Sequence, residues 1–176
     1  MGRVRQMGDE KAFDELSRRY SRRLYGFFFR MLGREGQLAS DFTQELFLRV
    51  WAVRGRYECG RELCPWFFTM AYNLCRNEYR FRNIAVGFAE EVRGGPDTYE
   101  EQPELRMDVQ MFDRELSTLL DKLPPEQRVL FALRYEEELT VPQLAEVMGI
   151  PEGTVKSRLH YLLQYLRKKL KVYETL

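Results

Sequence analysis

The stretch LTVPQLAEVMGIPEGTVKSRLHYLL, residues 139–163, decides how the C-terminal part of this chain folds. Thr140 is a typical residue to precede a short helix, and Gln143 three positions later completes a capping box. Gly149 ends that helix where a left-handed backbone is wanted, and a second helix starts at Glu152 or one residue earlier. The stretch therefore predicts two short helices joined at a glycine, which is the plan of a helix-turn-helix.

Polar side chains open the second of these helices. In a helix-turn-helix the first turns of the second helix enter the major groove, where side chains can touch bases or phosphates. The side chains available here are Glu152, Thr154, Lys156, Ser157 and Arg158. The alternative is a packed helical hairpin with a solvated basic face. Because the capping box, the glycine and the polar opening all agree, the sequence favours DNA binding.

Length and charge set limits on the class of protein. The 176 residues suffice for one medium domain or two small ones, and the net charge is only +1. The charge is segregated, with nine basic and four acidic residues in 1–34, four and eleven in 88–126, and six and two in 151–176. Binding to a polyanion depends more on local basic patches than on the net charge of the whole chain.

Membrane and export signals are missing from the sequence pattern. No apolar run approaches the roughly 18 residues that span a bilayer, and the N-terminal residues do not form a secretory signal. We therefore expect a cytoplasmic protein without membrane insertion.

Apolar residues recur at three- and four-residue spacing along nearly the whole chain, which is typical of helices. No stretch alternates with the period of a β-strand. Residues 89–107 are acidic and contain Gly94, Gly95 and Pro96, a composition typical of a flexible linker. We predict an all-α chain of two small helical domains joined by a flexible acidic linker. The domains are 1–88 and 108–176, and the second contains the helix-turn-helix.

The sequence offers little for catalysis. His160 is the single histidine and lies inside a predicted amphipathic helix, so hydrolysis through a Ser-His or Cys-His pair has one poor candidate base. Cys59, Cys64 and Cys75 form no CxxC pair, and an odd number argues against a disulfide framework. A metal-dependent nucleic-acid-processing enzyme would need ligands from the flexible linker, where pre-organised coordination is disfavoured. Those carboxylates are Glu90, Glu91, Asp97, Glu100 and Glu101. We expect no enzyme activity, no metal site and no cofactor.

Residues 40–51, SDFTQELFLRVW, divide polar and apolar side chains between two faces of one helix. The apolar row consists of Phe42, Leu46 and Val50. Another face collects residues spaced three and four positions apart, namely Asp41, Gln44, Glu45 and Leu48. Taken alone, this second face could be ordinary solvent-exposed surface.

The stretch WFFTMAYNLCRNEYRF, residues 66–81, also separates two faces. One face can be buried, and the other presents Asn73, Arg76, Asn77 and Arg80. Amides and guanidinium groups beside aromatic rings suit single-stranded nucleic acid, because bases stack on rings and an extruded base is read by hydrogen bonds. The aromatic residues could equally belong to the core; they are Trp66, Tyr72 and Phe81.

Four stretches together resemble the extracytoplasmic-function sigma factors, the smallest members of the sigma-70 superfamily, in order and spacing. They are GDEKAFDELSRRYSRRLYGFFFRMLG, DFTQELFLRVW, PWFFTMAYNLCRNEYR and LPPEQRVLFALRYEEELTVPQLAEVMGIPEGTVKSRL. The resemblance covers about residues 8–88 and 108–170. The Asp-x-x-Gln-Glu pattern at 41–45 and Gly-Thr-Val-Lys-Ser-Arg at 153–158 are specific in combination, although the second alone also resembles LuxR-type output domains.

The resemblance implies a promoter-specificity subunit that binds bacterial core RNA polymerase and promoter DNA. The polar face at 41–48 would grip the clamp coiled coil of the polymerase β′ subunit. The loop and helix from Tyr57 to Asn77 would open the −10 element and hold an extruded base. The matching side chains there are Tyr57, Trp66, Asn73 and Asn77, and Arg76 and Arg80 would lie towards the DNA backbone. The start of the helix at 152–158 would read the −35 element as duplex. An anti-sigma factor would sequester the free protein, and the acidic linker would thread through polymerase near the RNA path.

Three features depart from the family pattern. Glu138 stands where the family usually has glycine, so the turn before Leu139 is expected to differ or to be strained. Tyr161 is followed by two leucines where the family tends to have arginines, which weakens the expectation of groove contacts there. Cys59, Cys64 and Pro65 are unusual in the promoter-opening loop, so the identity of the extruded base stays open.

A stand-alone LuxR-like transcriptional regulator is the alternative function. Such a protein would bind duplex DNA specifically without polymerase. Its N-terminal half would sense a signal, and the polar face around Asp41 and Gln44 would be dispensable.

Overall fold

The computed structural model describes residues 1–7, 9–86 and 109–170, and the regular structure in these ranges is helical, as predicted. The helices in chain order are α1 (Gly2–Met7), α2 (Glu10–Met31), α3 (Gly36–Ala52), α4 (Leu63–Val86), α5 (Val109–Asp121), α6 (Pro125–Phe131), α7 (Val141–Met148) and α8 (Glu152–Leu170). A 3-10 turn at Arg54–Arg56 precedes α4, and a π-helical turn at Ala132–Glu136 follows α6. Among these helices none is long and apolar enough to cross a bilayer.

Aromatic side chains fill the core of the N-terminal half, which we define as residues 1–86. α2 packs along α3, and α4 packs against both. Four phenylalanines are fully buried where these helices meet: Phe27, Phe28, Phe67 and Phe68. The rings of Phe27 and Phe68 meet edge to face, with centroids 5.4 Å apart. Each such buried ring stabilises the fold by roughly 1.5–3 kcal/mol, so these aromatic positions dominate the packing of the half.

The C-terminal half, residues 109–170, is built around α6, α7 and α8. Its buried side chains include Val129, Leu130, Leu133 and Leu144, and α5 packs on α8 through a smaller cluster. Glu138 lies between the π-helical turn and α7 with a φ of 59°, which is the left-handed region. The strained turn expected from the sequence is therefore present.

The two halves pack on each other. α4 lies against α7, α2 contacts α6, and one continuous set of buried apolar side chains draws on both halves. The sequence did not predict this contact. Residues 87–108, which include the predicted linker and its carboxylates, lie outside the described residues, so the domain boundaries remain a prediction.

Candidate functional site

α7 and α8 form the predicted helix-turn-helix. The backbone N–H of Thr140 donates to Oε1 of Gln143 at 2.7 Å, a contact typical of a capping box. Gly149 ends α7 with φ 66° and ψ 37°, a left-handed conformation that favours glycine. Val155 and Leu159 of α8 are buried, and the helix packs against α7. The helix pair, its cap and its glycine turn are therefore confirmed.

The predicted base-reading side chains at the start of α8 differ in their surroundings. Three are exposed, namely Glu152, Lys156 and Ser157. Thr154 and Arg158 are half-buried, and Nη1 of Arg158 lies 2.8 Å from Oε2 of Glu126 on α6. An exposed ion pair stabilises by at most about 1 kcal/mol, so Arg158 can exchange Glu126 for a phosphate at small cost. Sequence reasoning missed this ion pair, since its partners are distant in the chain.

Four of the predicted nucleic-acid contacts share one exposed face, which we call the α4 outer face: Asn73, Arg76, Asn77 and Arg80. The opposite side of the helix is buried and includes Phe67, Ala71 and Cys75. Two amides and two guanidinium groups thus face solvent along about two helical turns. These donors suit base edges and phosphate oxygens.

Phe81 lies beside the α4 outer face. The sequence left open whether its ring is buried in the core or exposed at the surface. Its side chain is 70% exposed, whereas Tyr72, equally open at the sequence level, is buried. Phe81 lies one turn after Asn77, and side chains four residues apart lie on one side of a helix. That spacing could have assigned Phe81 to the surface. An exposed ring beside amides offers a platform for base stacking.

Tyr57, which the sequence places among the side chains that contact the −10 element, is buried in this structure. Its side chain is 5% exposed, its ring packs edge-on against Trp66 with centroids 5.2 Å apart, and its hydroxyl donates to the carbonyl of Arg61. Burial of the phenol raises the pKa of Tyr57. Tyr57 therefore supports Trp66, which is half-buried, and Trp66 is the ring of this pair nearer the surface.

A further surface lies on α3. Asp41, Gln44 and Leu48 are exposed and Glu45 is half-buried; we call these four residues the α3 outer face. Leu46 and Val50 on the other side of the helix are fully buried, as the sequence predicts. Leu48 is 70% exposed on this otherwise polar face. An apolar side chain within a polar rim suits a protein partner better than it suits solvent alone.

A cleft of about 550 Å³ lies between the two halves. Arg76 and Arg80 of the α4 outer face line it, together with Arg158 and Tyr161 of α8. Tyr72 also lines the cleft, and burial raises the pKa of its phenol. Residues from both predicted DNA-binding surfaces therefore meet in one place, which no local sequence pattern indicates.

The three cysteines differ in their exposure to solvent. Cys59 is exposed, Cys64 is half-buried and Cys75 is buried, all as free thiols. Burial raises the pKa of the Cys64 and Cys75 thiols, so neither is an activated nucleophile. Across residues 1–7, 9–86 and 109–170, no group of three His, Cys, Asp or Glu side chains could hold a metal ion.

Comparison with known proteins finds a matching protein family for each half. The family described as Sigma-70 region 2 matches residues 16–83, and that described as Sigma-70, region 4 matches residues 113–164. RNA polymerase sigma factor CarQ of Myxococcus xanthus is 32% identical, over 93% of this chain and 91% of CarQ. The ECF RNA polymerase sigma factor SigW of Bacillus subtilis (strain 168) is 29% identical, over 96% of this chain and 95% of SigW. This chain is an extracytoplasmic-function sigma factor.

Sigma factors are DNA-binding proteins of transcription initiation. Because this sigma factor matches the family in region 2 as well as in region 4, the stand-alone LuxR-like regulator is not favoured. A match confined to the helix-turn-helix would have left that alternative open.

Solved sigma factors share the fold. RpoE of Bartonella quintana, solved in complex with the anti-sigma factor NepR, superposes with a TM-score of 0.71 at 23% identity, over 92% of this chain and 98% of RpoE. CnrH, solved with the cytosolic domain of CnrY, gives a TM-score of 0.64 at 22% identity, over 93% of this chain and 88% of CnrH. At these identities the likeness establishes the fold alone.

Proposed function

We propose that this sigma factor divides its work among three surfaces. The α3 outer face binds core RNA polymerase at the β′ clamp coiled coil. The α4 outer face, with Trp66 and Phe81, binds the opened −10 element. The first turns of α8, from Glu152 to Arg158, bind the −35 element as duplex.

The observation that supports this proposal best is the α4 outer face. Asn73, Arg76, Asn77 and Arg80 are all exposed on the side of α4 opposite the core. Amides can read the edge of an extruded base, and guanidinium groups can hold the sugar-phosphate backbone. Stacking on an aromatic ring stabilises a bound base by roughly 1–3 kcal/mol, which offsets the few kcal/mol needed to flip it.

Duplex recognition by α8 is supported by its exposed first turns. Lys156 and Ser157 project from the helix at the positions that enter the major groove in a helix-turn-helix. Glu152 can accept from a cytosine amino group, and Lys156 can reach guanine or phosphate. Arg158 can also contact the DNA once its ion pair with Glu126 breaks.

Polymerase binding by α3 is supported by chemistry as well as resemblance. The α3 outer face places the exposed Leu48 one turn from Gln44 and two turns from Asp41. A coiled-coil partner offers charged and apolar side chains in the same spacing. The partners also include an anti-sigma factor, since RpoE, which has a similar fold, is solved in complex with one. The site of action is the cytoplasm, as expected for a protein that works with RNA polymerase.

Run-off transcription tests the proposal as a whole. Purified bacterial core polymerase would be supplied with a library of random promoter sequences, with and without this sigma factor. Dependent transcripts that share −35 and −10 sequences would support it. Specific duplex binding without any dependent transcript would overturn it.

Paired substitutions test the division of work. Gln44→Ala should weaken polymerase binding about tenfold and leave binding of isolated −35 duplex unchanged. Lys156→Ala should do the reverse and reduce the salt dependence of duplex binding. Gln164→Ala and Lys122→Ala are matched controls, because both side chains are exposed and lie outside the three surfaces. If Gln44→Ala and Lys156→Ala each impaired both activities, the division would be wrong.

A further inference from the structure

We propose that the cleft between α4 and α8 is a binding site for a nucleoside diphosphate. Such a ligand joins two phosphates to a flat aromatic base, and the cleft offers side chains for both parts. The side chains that carry the argument are Arg76, Arg80, Arg158, Tyr72 and Tyr161. The existence of the site is independent of the proposed function. Its effect on promoter binding rests on that function, because the same arginines are assigned to DNA.

The cleft has the dimensions of a small-molecule site. Its volume is about 550 Å³, within the roughly 300–1,000 Å³ of sites that bury most of a drug-sized ligand. Residues of α4 line one side, and residues of α6 and α8 line the other. The cleft can therefore enclose most of a ligand the size of a nucleotide.

The charge of the cleft favours an anion. Arg76 and Arg80 lie one turn apart on α4, where like charges repel each other, and Arg158 approaches from α8. Among the described residues that line the cleft, Glu126 is the one carboxylate, and it already pairs with Arg158 at 2.8 Å. The charges of Arg76 and Arg80 are therefore left without a carboxylate in the cleft. Two phosphates can neutralise them through bidentate hydrogen bonds from the guanidinium groups.

Tyr72 places a hydroxyl group among these charges. The residue is 7% exposed and lines the cleft, and the Arg76 guanidinium lies 5.9 Å from the centroid of its ring. Burial and the nearby Glu126 raise the pKa of the Tyr72 phenol, and the three arginines lower it. Because the pKa stays above its usual value, the phenol is protonated at neutral pH and can donate a hydrogen bond to a phosphate oxygen.

Aromatic and apolar side chains can hold the base. Tyr161 lines the cleft and is 68% exposed. Pro124 and Pro125, at the start of α6, line it as well, and so do the buried Val129 and Leu130. A tyrosine ring stacks on any base, because every base has a flat π face. The cleft thus combines a stacking platform with phosphate-binding groups, which is the combination that a nucleotide requires.

A bound nucleotide would compete with promoter DNA. Arg76 and Arg80 are assigned to the −10 strand and Arg158 to the −35 element, and one guanidinium cannot hold a diphosphate and a DNA phosphate fully at the same time. By mass action, nucleotide at ten times its dissociation constant should weaken the apparent binding of DNA about tenfold.

Isothermal titration calorimetry on the full chain tests the site directly. The probes are GDP and ADP, with inorganic pyrophosphate and guanosine as the two parts of a nucleotide taken separately. The titrations are made without divalent cations, which would bind the phosphates themselves. At least one nucleotide should bind with a dissociation constant of about 10–100 μM, and about tenfold or more tightly than pyrophosphate or guanosine.

Single substitutions locate the site. Tyr161→Ala should weaken nucleotide binding about tenfold and leave the weaker pyrophosphate binding unchanged, because only the base is stacked. Arg76→Ala should weaken the binding of nucleotide and of pyrophosphate alike. The matched controls are Tyr165→Ala and Arg18→Ala, since both side chains are exposed and neither lines the cleft. Circular dichroism of each variant should match that of the wild-type protein.

The results separate the site from general attraction of anions. Binding that is weakened in both cleft variants and retained in both controls supports the site. Pyrophosphate that binds as tightly as GDP and ADP overturns it, and so does Arg18→Ala that weakens binding as much as Arg76→Ala. The absence of nucleotide binding at about 1 mM also overturns it.

Competition with DNA separates the site from the proposed function. A fluorescent single-stranded −10 oligonucleotide is bound to the sigma factor, and the nucleotide that binds is then added. Displacement measured by fluorescence anisotropy supports both proposals. If the nucleotide binds but the protein holds no promoter DNA, or releases none, the site is supported and the assignment of these arginines to DNA fails.

Discussion

Replacing Glu138 with glycine should stabilise this sigma factor. Glu138 has a φ of 59°, where a side chain on an L-residue raises the energy by roughly 1–2 kcal/mol. The conformation is imposed by its neighbours, because the N–H of Leu139 donates to the carbonyl of Leu133 at 3.0 Å. Glycine removes this steric energy. It is also more flexible in the unfolded chain, which stabilises the unfolded state and offsets roughly 0.5–1 kcal/mol of the gain. The expected net gain in unfolding free energy is about 0.5–1 kcal/mol.

Thermal unfolding followed by circular dichroism measures this gain. For a chain of this length the melting temperature should rise by about 1–4 °C. Glu138→Ala is the control, since it removes the carboxylate and keeps the unfavourable φ, and it should leave the melting temperature nearly unchanged. Gly149→Ala should lower it, because Gly149 has a φ of 66° although a Cβ there would have open space. The reasoning is refuted if Glu138→Gly melts no higher than Glu138→Ala.

Two further predictions concern single aromatic residues. Burial raises the pKa of Tyr79 to about 12, so the unfolding free energy should fall as pH rises from about 10 towards 12, because the unfolded chain ionises first. Tyr79→Phe should make that fall shallower in urea titrations, and an unchanged slope would contradict the assignment. Phe81→Ala should leave the urea midpoint unchanged, because the ring is exposed, and weaken binding of a single-stranded −10 oligonucleotide by about 1–3 kcal/mol in fluorescence anisotropy. Equal weakening of −35 duplex binding would count against its role in stacking.

Helix positions and their ends could be predicted because they depend on neighbours in sequence. The apolar spacing predicted helices along nearly the whole chain, and the helices of both halves bury apolar residues that recur at that spacing. The contact between Thr140 and Gln143 and the left-handed Gly149 follow from rules that span only a few residues. Departure from the family pattern likewise predicted the strained turn at Glu138.

The exposure of the candidate site was predicted in part, and Tyr57 is the residue whose surroundings the sequence did not predict. Asn73, Arg76, Asn77 and Arg80 are exposed together because one helix sets their spacing. Tyr57 was expected at the surface, but its loop folds back so that the ring packs on Trp66. A loop offers no periodicity from which the direction of a side chain can be read.

The sequence by itself determined the helices, the helix-turn-helix and the sigma-factor family, because these rest on short-range spacing and on motifs. Tertiary structure alone decided which charges from distant parts of the chain meet. The partners Arg23 and Glu137 lie 114 positions apart, and no spacing rule connects them. Only the packing of α4 on α7 and of α2 on α6 brings those two side chains together. A carboxylate as buried as that of Glu137 is costly unless a cation pairs with it, and Arg23 is that cation.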